Sequence, residues 1–409
     1  MSFSTTLLRA RRKYRSDGSK ALLAEITTKA LESKLGRAFV RQQLLTDISI
    51  LEQSQLREQA TRAWECKPSN SSNPFDSEIP ISKKTRLSNS QSFEGLETRL
   101  PTSPFVAELQ DITVLGPSGL GITPNSQLIK DTVASDRSSA SRLEKILSRS
   151  ILQNGYRKTR DVVRSPSTHG DWKMLVATTL VPVWQNYYHW TLECLPKLLG
   201  IETYYEQTGE SPTILLPPNP PSWMRESFEL ISANWAETTS LQSGTTHVSQ
   251  FVVPSYPSPS RTECFWLRDR AHDAVGITKQ DNNTFPSRIY VTRRNANVRR
   301  VKNEKKVLKI LSEFNIRPYA LETLTVAEQI RLFSNADLVV APHGAGLANL
   351  VYSTSPTVVE LFGYKEKTTF YRLSKIMGHE YHAIFCENKN QDIIVDTNKL
   401  LSKIENVIK

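Results

Sequence analysis

A histidine that lies between an apolar run and two glycines is the first feature of this sequence that could do chemistry. The segment 337–341, apolar after Asp337, predicts a buried strand, and His343-Gly344-Ala345-Gly346 follows it. Open parallel sheets bind ligands beyond the carboxyl ends of their strands. We expect Gly344 and Gly346 to take positive φ angles and to let the backbone approach a ligand. A helix predicted from Leu347 would direct its free N–H groups at a diphosphate. The alternative is a plain tight turn in which His343 caps that helix.

Arginines follow another predicted strand, residues 288–292. Arg293 and Arg294 come directly after it, and Arg299 and Arg300 lie further along the same loop. A planar guanidinium can bind phosphate oxygens through two parallel hydrogen bonds. The cluster therefore predicts a compact phosphate site. A solvated basic loop and a nucleic-acid patch are the alternatives, although the interleaved aromatics that stack bases are missing.

Carboxylates and a second histidine complete the candidate chemistry. Glu360 is the penultimate residue of the predicted strand 357–361, where an acid can accept hydrogen bonds from a ribose diol; an edge carboxylate paired with a lysine is the alternative. His189 and Glu193 lie four residues apart in a predicted helix over 189–205, so both face one way. Either could take the proton of an attacking hydroxyl. The alternative is that His189 caps this helix and packs in the core.

Alternating strand and helix patterns must position these residues. They predict an α/β fold with two Rossmann-like domains that face a cleft, residues 105–280 and 281–409. Thr325 and Glu328 form a capping box that begins one of the helices of the second domain. We expect the last helix to pack back on the first domain.

The front of the chain differs in composition. Residues 1–66 form a predicted basic helical leader, and residues 67–104 form a predicted polar linker rich in Ser, Asn and Pro. Residues 1–41 contain ten Lys or Arg and three acidic residues, a net charge of +7. This segment could contact an anionic membrane, or it could be a solvated helix.

Composition and missing motifs exclude several classes. The chain has 409 residues, a net charge of +11, and no apolar run long enough to span a membrane. Scattered cysteines and the missing signal peptide predict a cytoplasmic location. There is no Asp-x-Asp motif for a metal-bound diphosphate, and Asp76-Ser77-Glu78 comes nearest. Neither a P-loop nor a Gly-x-Ser-x-Gly elbow occurs, so ATPases and α/β hydrolases are disfavoured.

Three segments together resemble glycosyltransferase family 61, with matching order and spacing over about residues 105–385. They are Asn186-Tyr187-Tyr188-His189-Trp190 through Glu193 to Leu195-Pro196-Lys197-Leu198, then Arg288-Ile289-Tyr290-Val291-Thr292-Arg293-Arg294 through Arg300 to Asn303-Glu304, and finally Asp337 through His343-Gly344-Ala345-Gly346-Leu347 and Asn349 to Val359-Glu360-Leu361. Thr292 stands where the family usually has Ser, and Asn295 where an acid is common. The eukaryotic members have a membrane anchor, and this chain looks more like the microbial members.

The resemblance implies a GT-B-type enzyme that transfers a sugar with inversion and without an obligatory metal or other cofactor. It implies a nucleotide-sugar co-substrate, for which we expect a UDP-sugar, held by the C-terminal domain. The donor-binding residues would be Arg293, Arg294, Arg300, His343, Gly344, Ala345, Gly346, Asn349 and Glu360, and the catalytic residues His189 and Glu193.

The acceptor would be a glycan or a lipid-linked glycan in polysaccharide or protein glycan assembly, with no nucleic-acid partner. A peripheral position on the inner face of the cell membrane, through residues 1–41, would fit such an acceptor. The alternatives are a GT-B-like epimerase or phosphorylase, and a basic protein that binds membranes or nucleic acid.

Overall fold

The computed structural model describes residues 30–31, 33–46, 48–67, 79–80, 98–99, 103–133, 139–166, 170–232, 234, 236–257, 259–277, 285–363 and 367–408. Residues 1–29 of the predicted leader, and most of the predicted linker 67–104, lie outside the described residues. The membrane contact predicted for residues 1–41 is therefore not tested.

The strands follow one another along the whole described chain. They are β1 (Ile50–Leu51), β2 (Arg62–Glu65), β3 (Ile79–Pro80), β4 (Thr98–Arg99), β5 (Phe105–Gly116), β6 (Leu120–Ile122), β7 (Leu128–Ile129), β8 (Trp172–Thr179), β9 (Thr213–Leu216), β10 (Thr238–Ser240), β11 (Gly244–Pro254), β12 (Arg288–Val291), β13 (Arg317–Tyr319), β14 (Leu338–Pro342), β15 (Thr357–Phe362), β16 (Glu380–Phe385), β17 (Glu387–Lys389) and β18 (Asp392–Ile394).

Helices alternate with many of these strands. The α-helices are α1 (Lys34–Val40), α2 (Gln53–Gln59), α3 (Ser139–Asn154), α4 (Tyr156–Arg164), α5 (Tyr187–His189), α6 (Lys197–Thr208), α7 (Ser222–Ile231), α8 (Arg261–Ala274), α9 (Glu304–Glu313), α10 (Val326–Ser334), α11 (Thr369–Met377) and α12 (Thr397–Ile408). Shorter 3₁₀ helices are Lys130–Thr132, Leu321–Thr323 and Ala345–Tyr352, and π-helical turns are Arg41–Leu45 and Trp190–Cys194.

The C-terminal sheet is fully parallel, with the strand order β13-β12-β14-β15-β16. This is a doubly wound order, in which the chain reverses its direction of winding between β12 and β14. The carboxyl ends of these two strands lead directly to Arg293 and His343. The parallel α/β arrangement predicted for this half is therefore confirmed, and so is the capping box of Thr325 and Glu328 at α10.

The N-terminal sheet is mixed, which differs from the parallel Rossmann-like sheet that the sequence predicted. It has nine strands in the order β1-β7-β6-β5-β11-β8-β9-β10, with β2 paired to β5. Its centre is a long antiparallel pair in which β5 runs against β11 from Gly116 opposite Gly244 to Val106 opposite Pro254. β11, β8, β9 and β10 form a parallel series, and β1 pairs in parallel with β7 at the other edge. The fold is thus mixed α/β, and two Rossmann-like domains are not confirmed.

One hydrophobic core connects the two sheets. It contains Trp190 and Leu267 from the first half, together with Leu350 and Phe370 from the second. The predicted boundary at residues 280 and 281 lies within 278–284, outside the described residues, and remains a prediction. The last helix does not follow the prediction, because Leu400 and Ile404 of α12 pack with residues of α9 in the same half.

The predicted helical leader, residues 1–66, is helical in only part of its described residues: α1, α2 and the π-helical turn Arg41–Leu45 lie there, but so do β1 and β2. β1 pairs with β7 and β2 pairs with β5, so the segment adds strands to the N-terminal sheet. Leu44, Leu51 and Leu56 are fully buried there. Leucines with this spacing fit one continuous helix and also a series of short helices and strands. The pairing with distant strands determines which of the two forms. Among the described helices, none is long and apolar enough to cross a membrane.

Candidate active site

His189 and Glu193 lie just beyond the carboxyl end of β8. The Asn186 side chain accepts a hydrogen bond from the Tyr188 backbone N–H at 3.0 Å and caps α5, so His189 is not the cap. The chain then forms the π-helical turn Trp190–Cys194, which interrupts the predicted continuous helix. His189 Nδ1 and Glu193 Oε2 are 2.7 Å apart, so the predicted neighbouring positions are confirmed.

Glu193 is held from several sides. Arg142 Nη2 donates to its Oε1 at 2.8 Å and Nη1 donates to its Oε2 at 3.1 Å, while the Tyr256 hydroxyl donates to Oε2 at 2.6 Å. Burial alone would raise the pKa of Glu193, but the hydrogen bond from His189 and the charge of Arg142 outweigh it and hold the pKa at about 2. The carboxylate is therefore ionised at neutral pH and is a poor proton acceptor.

The His189 ring is fixed in orientation. It stacks on Trp184 with ring centroids 4.7 Å apart, and Tyr188 meets its edge at 5.1 Å. Because an ionised carboxylate can only accept, Nδ1 carries the proton that it donates to Glu193 in the neutral ring. The lone pair then lies on Nε2. The side chain is 23% exposed, which leaves this ring accessible to a substrate.

A second histidine–glutamate pair lies at the carboxyl edge of the C-terminal sheet. His343 Nδ1 and Glu360 Oε1 are 2.5 Å apart, and the Tyr381 hydroxyl donates to Glu360 Oε2 at 2.6 Å. The β14–β15 register places Glu360 opposite Ala341, two residues before His343. Glu360 is fully buried with both oxygens engaged. Because the carboxylate is buried beneath these two partners, a ribose could reach it only if this packing opened, and in the structure Glu360 orients His343.

The two glycines of the turn leave room for neighbouring side chains and do not supply a left-handed backbone. Gly344 is extended, with φ −177°, and neither Gly344 nor Gly346 has a positive φ, so that prediction is wrong. A Cβ atom on Gly344 would lie 2.1 Å from Arg293 Nη1, and one on Gly346 would lie 2.8 Å from Leu321 Cδ1. The helix that follows is the 3₁₀ helix Ala345–Tyr352, which begins at Ala345.

Arg293 is the cation that lies against this turn. Its Nη2 donates to the Val298 carbonyl at 3.2 Å, and its Nε is buried without a hydrogen-bond partner. Burial, with the nearby charge of Arg299, lowers the pKa of Arg293 to about 10. Within the described part of the chain, no carboxylate forms an ion pair with it. The charge of Glu322 acts on it in the opposite direction to burial. A partly buried cation without an ion-pair partner is a candidate site for an anion.

The other predicted arginines are placed differently. Arg294 is exposed. Arg300 forms a forked interaction with Asp392, with Nε at 3.2 Å and Nη2 at 2.8 Å from Oδ2. A donor phosphate would have to compete with Asp392 for this guanidinium. The predicted arginine cluster thus divides into Arg293 at the turn and Arg300 in an ion pair.

Asn349 joins the first and third motifs. It is fully buried; its Oδ1 accepts from the Tyr187 hydroxyl at 2.6 Å, and its Nδ2 donates to Gln329 Oε1 at 2.9 Å. These bonds hold the His189 segment against the His343 segment. The predicted contact of Asn349 with the sugar donor stays a prediction.

Aromatic contacts extend this junction. The Phe370 ring lies 5.9 Å from Tyr188 and 5.4 Å from His343, measured between centroids. The first and third predicted motifs are therefore brought together on one surface. In the described residues, no group of three or more His, Cys, Asp or Glu side chains is arranged to hold a metal ion.

Arg142 and Tyr256 are site residues that sequence reasoning missed. They lie 51 and 63 residues from Glu193, and no local motif surrounds either one. Their only signal is the three-dimensional contact with a residue of the first motif.

Comparison with known proteins gives one family and several distant relatives. Residues 187–359 match the family model described as Glycosyltransferase 61. The EGF domain-specific O-linked N-acetylglucosamine transferase of Gallus gallus is 25% identical over 113 residues, which are 26% of this chain and 21% of the relative. The Mus musculus protein of the same name is 26% identical over 113 residues, with the same coverage of 26% and 21%. The Pan troglodytes protein is 25% identical over 121 residues, 28% of this chain and 23% of the relative.

The chain thus spans about a fifth of the length of the curated relatives that it matches. The matched region contains His189, Arg293 and the His343 turn, and it supports a glycosyltransferase. The resemblance predicted from the three motifs is confirmed: residues 187–359 match glycosyltransferase family 61.

Proposed function

We propose that this protein transfers a sugar from a nucleotide-sugar donor, a UDP-sugar in our expectation, to a hydroxyl group of an acceptor. The observation that carries the proposal is the convergence of the His189–Glu193 pair and the Arg293–His343 turn, joined through Tyr188 and Phe370. One side offers a base and the other an anion site. The family match over residues 187–359 supports the same reaction class.

Arg293 is the proposed contact of the donor diphosphate. A cation that is already in place and partly shielded from water stabilises the charge that develops on a leaving diphosphate more strongly than an exposed one. The N–H groups at the start of the 3₁₀ helix Ala345–Tyr352 would add to this stabilisation. In this proposal the protein's own cations, and not a metal ion, neutralise the leaving group. The other predicted donor residues act around Arg293: His343 is oriented by Glu360, and Asn349 holds the turn in place.

His189 is the proposed base. Its Nε2 takes the proton of the acceptor hydroxyl while that oxygen bonds to the anomeric carbon. The bond from the anomeric carbon to the diphosphate breaks, and its electron pair leaves with the diphosphate. A single displacement of this kind inverts the anomeric centre. Glu193, ionised and bound by Arg142, orients His189 and balances the charge of the imidazolium.

The acceptor in this proposal is a glycan or a lipid-linked glycan. The names of the relatives favour a second candidate, an O-linked transfer to a protein hydroxyl. A two-domain GT-B architecture and a cytoplasmic location, with residues 1–41 on the inner membrane face, belong to the same proposal.

Nucleotide binding and product analysis test this function. Arg293→Ala should abolish turnover of a UDP-sugar and weaken UDP binding. Arg294→Ala removes the same charge from an exposed position and serves as the matched control. Unchanged turnover in Arg293→Ala would contradict the donor assignment. Sugar products formed without any acceptor would favour the epimerase, and transfer from a sugar phosphate would favour the phosphorylase.

The alternative of a membrane or nucleic-acid binder has its own test. Deletion of residues 1–41 should then abolish binding to anionic vesicles or nucleic acid, while the remaining chain shows no sugar transfer. Sugar transfer by the truncated chain contradicts that alternative.

A further inference from the structure

We propose that Arg142 is a positioning residue that keeps the Glu193 carboxylate aligned on His189 Nδ1, so that the lone pair of His189 stays on Nε2. Arg142 lies on α3, outside the segment that matches the family model. The catalytic consequence rests on the proposed function, but the effect on His189 itself does not.

The geometry of Arg142 is that of a fork on the carboxylate. Its two terminal nitrogens reach the two oxygens of Glu193 at 2.8 Å and 3.1 Å, and Nη1 also lies 2.5 Å from the Tyr256 hydroxyl oxygen. Both charged side chains are about nine-tenths buried. A forked pair fixes the plane of the carboxylate as well as its position. Glu193 Oε2, the oxygen that contacts His189, is therefore held in place by Arg142 as well.

The same guanidinium also supports the ring that backs His189. It lies 5.0 Å from the Trp184 ring, which stacks on His189 at 4.7 Å. The guanidinium also lies 5.3 Å from the centroid of the Tyr256 ring. Arg142 therefore touches both the hydrogen-bond partner and the stacking partner of His189, which an arginine that served only as a counterion to Glu193 would not need to do.

The hydrogen bonds give the direction of its effect. Without the fork, the Glu193 carboxylate can turn away from Nδ1, and the proton of the neutral His189 ring is no longer held on that nitrogen. Removal of Arg142 should therefore mix the two tautomers of neutral His189. The other titratable or charged groups around the ring and its partners are Tyr188, Lys145, Lys197, Tyr256, Asp131 and Arg372. All of them except Tyr256, which is replaced in one variant, remain unchanged in the experiment.

The experiment is a ¹⁵N NMR titration of the histidine side chains of the full chain, with His189→Asn to assign the signal. In the native protein, neutral His189 is expected to show a protonated Nδ1 and an unprotonated Nε2. Where His189 is neutral, Arg142→Met should bring the signals of the Nε2-protonated tautomer into the spectrum. Arg142→Lys keeps the charge but not the fork, so it should show part of the same change. Tyr256→Phe removes one neutral donor and should change the tautomer signals less than Arg142→Met.

Contrary results are equally clear. A neutral His189 protonated on Nε2 in the native protein overturns the proposal and needs no variant, so it holds even when Arg142→Met does not fold. A folded Arg142→Met protein with unchanged His189 signals also overturns it. If sugar transfer is found, kcat should fall in Arg142→Met while the KM for the nucleotide sugar stays near its native value. If the NMR shifts occur but no donor is turned over, the proposed function fails and the positioning role stands.

Discussion

Gly344→Ala tests the anion site by moving Arg293 without touching its charge. The new Cβ atom would lie 2.1 Å from Arg293 Nη1 and 2.9 Å from Cζ. Favourable contacts between such atoms are about 3.5–4.0 Å, so the guanidinium must retreat by about 1 Å or more. The backbone of Gly344 is extended, with φ −177° and ψ 165°, a conformation that alanine also adopts. The change should therefore displace the side chain of Arg293 and leave the fold intact.

The expected cost falls on catalysis. A misplacement of about 1 Å in a catalytic contact can lower the rate by about 100-fold, which is about 2.7 kcal/mol of transition-state stabilisation. We expect kcat/KM for the nucleotide sugar to fall by that factor while the melting temperature stays within about 2 °C of the native value. The assay is initial-rate kinetics together with thermal unfolding on the same preparation.

Gly346→Ala is the matched control. Its Cβ atom would lie 2.8 Å from Leu321 Cδ1, the end of a flexible apolar side chain, and not against Arg293. It should lower stability more than Gly344→Ala and reduce kcat/KM less. The reasoning is refuted if Gly344→Ala keeps native kcat/KM, or if its loss of activity merely follows a loss of folded protein.

Further predictions concern stability and the second arginine. Burial lowers the pKa of His379 from 6.5 to about 4, so between these pH values the folded state binds fewer protons than the unfolded state. The free energy of unfolding, measured by urea titration, should therefore fall by about 3 kcal/mol as the pH drops from 6.5 to 4. His379→Gln should flatten this dependence. Tyr187→Phe removes a hydrogen bond to buried Asn349 and should cost about 1 kcal/mol in the same titration; native stability would contradict it. Arg300→Ala should reduce turnover far less than Arg293→Ala, because Asp392 already binds Arg300, and an equal loss in steady-state kinetics would contradict this.

The C-terminal half could be predicted from the sequence because its signals are local. Short apolar runs gave the central strands, which the structure places at β12, β14 and β15. The capping residues Thr325 and Glu328 are three positions apart and identify a helix start without any tertiary information. The contact of His189 with Glu193 is equally local, since residues four apart on a helical turn share a face.

The N-terminal sheet could not be predicted in the same way. β5 is apolar over most of its length, and such a strand does not reveal whether its neighbour runs parallel or antiparallel. The antiparallel partner β11 begins 128 positions after β5 ends, from Gly116 to Gly244. The short strands of residues 50–51 and 62–65 likewise depend on distant partners for their pairing.

Much of the site depends on such distant contacts. A glycine after a strand signals close approach, but not that the approaching group is the guanidinium of Arg293. The carboxylate of Glu360 was correctly placed at the strand end, yet its burial under His343 and Tyr381 follows from packing. Arg142 reaches Glu193 from a helix 51 positions away, so no spacing rule could have found it.

In the proposed reaction, His189 and Arg293 carry sugar transfer from a nucleotide donor to an acceptor hydroxyl. The most direct measurement quantifies released UDP and glycosylated acceptor in the same reaction, across a panel of UDP-sugars and hydroxyl acceptors, for the native chain and His189→Asn. We expect one UDP released for each sugar transferred, with both products lost together in His189→Asn. UDP release without a glycosylated product, or equal transfer by His189→Asn, would contradict the account.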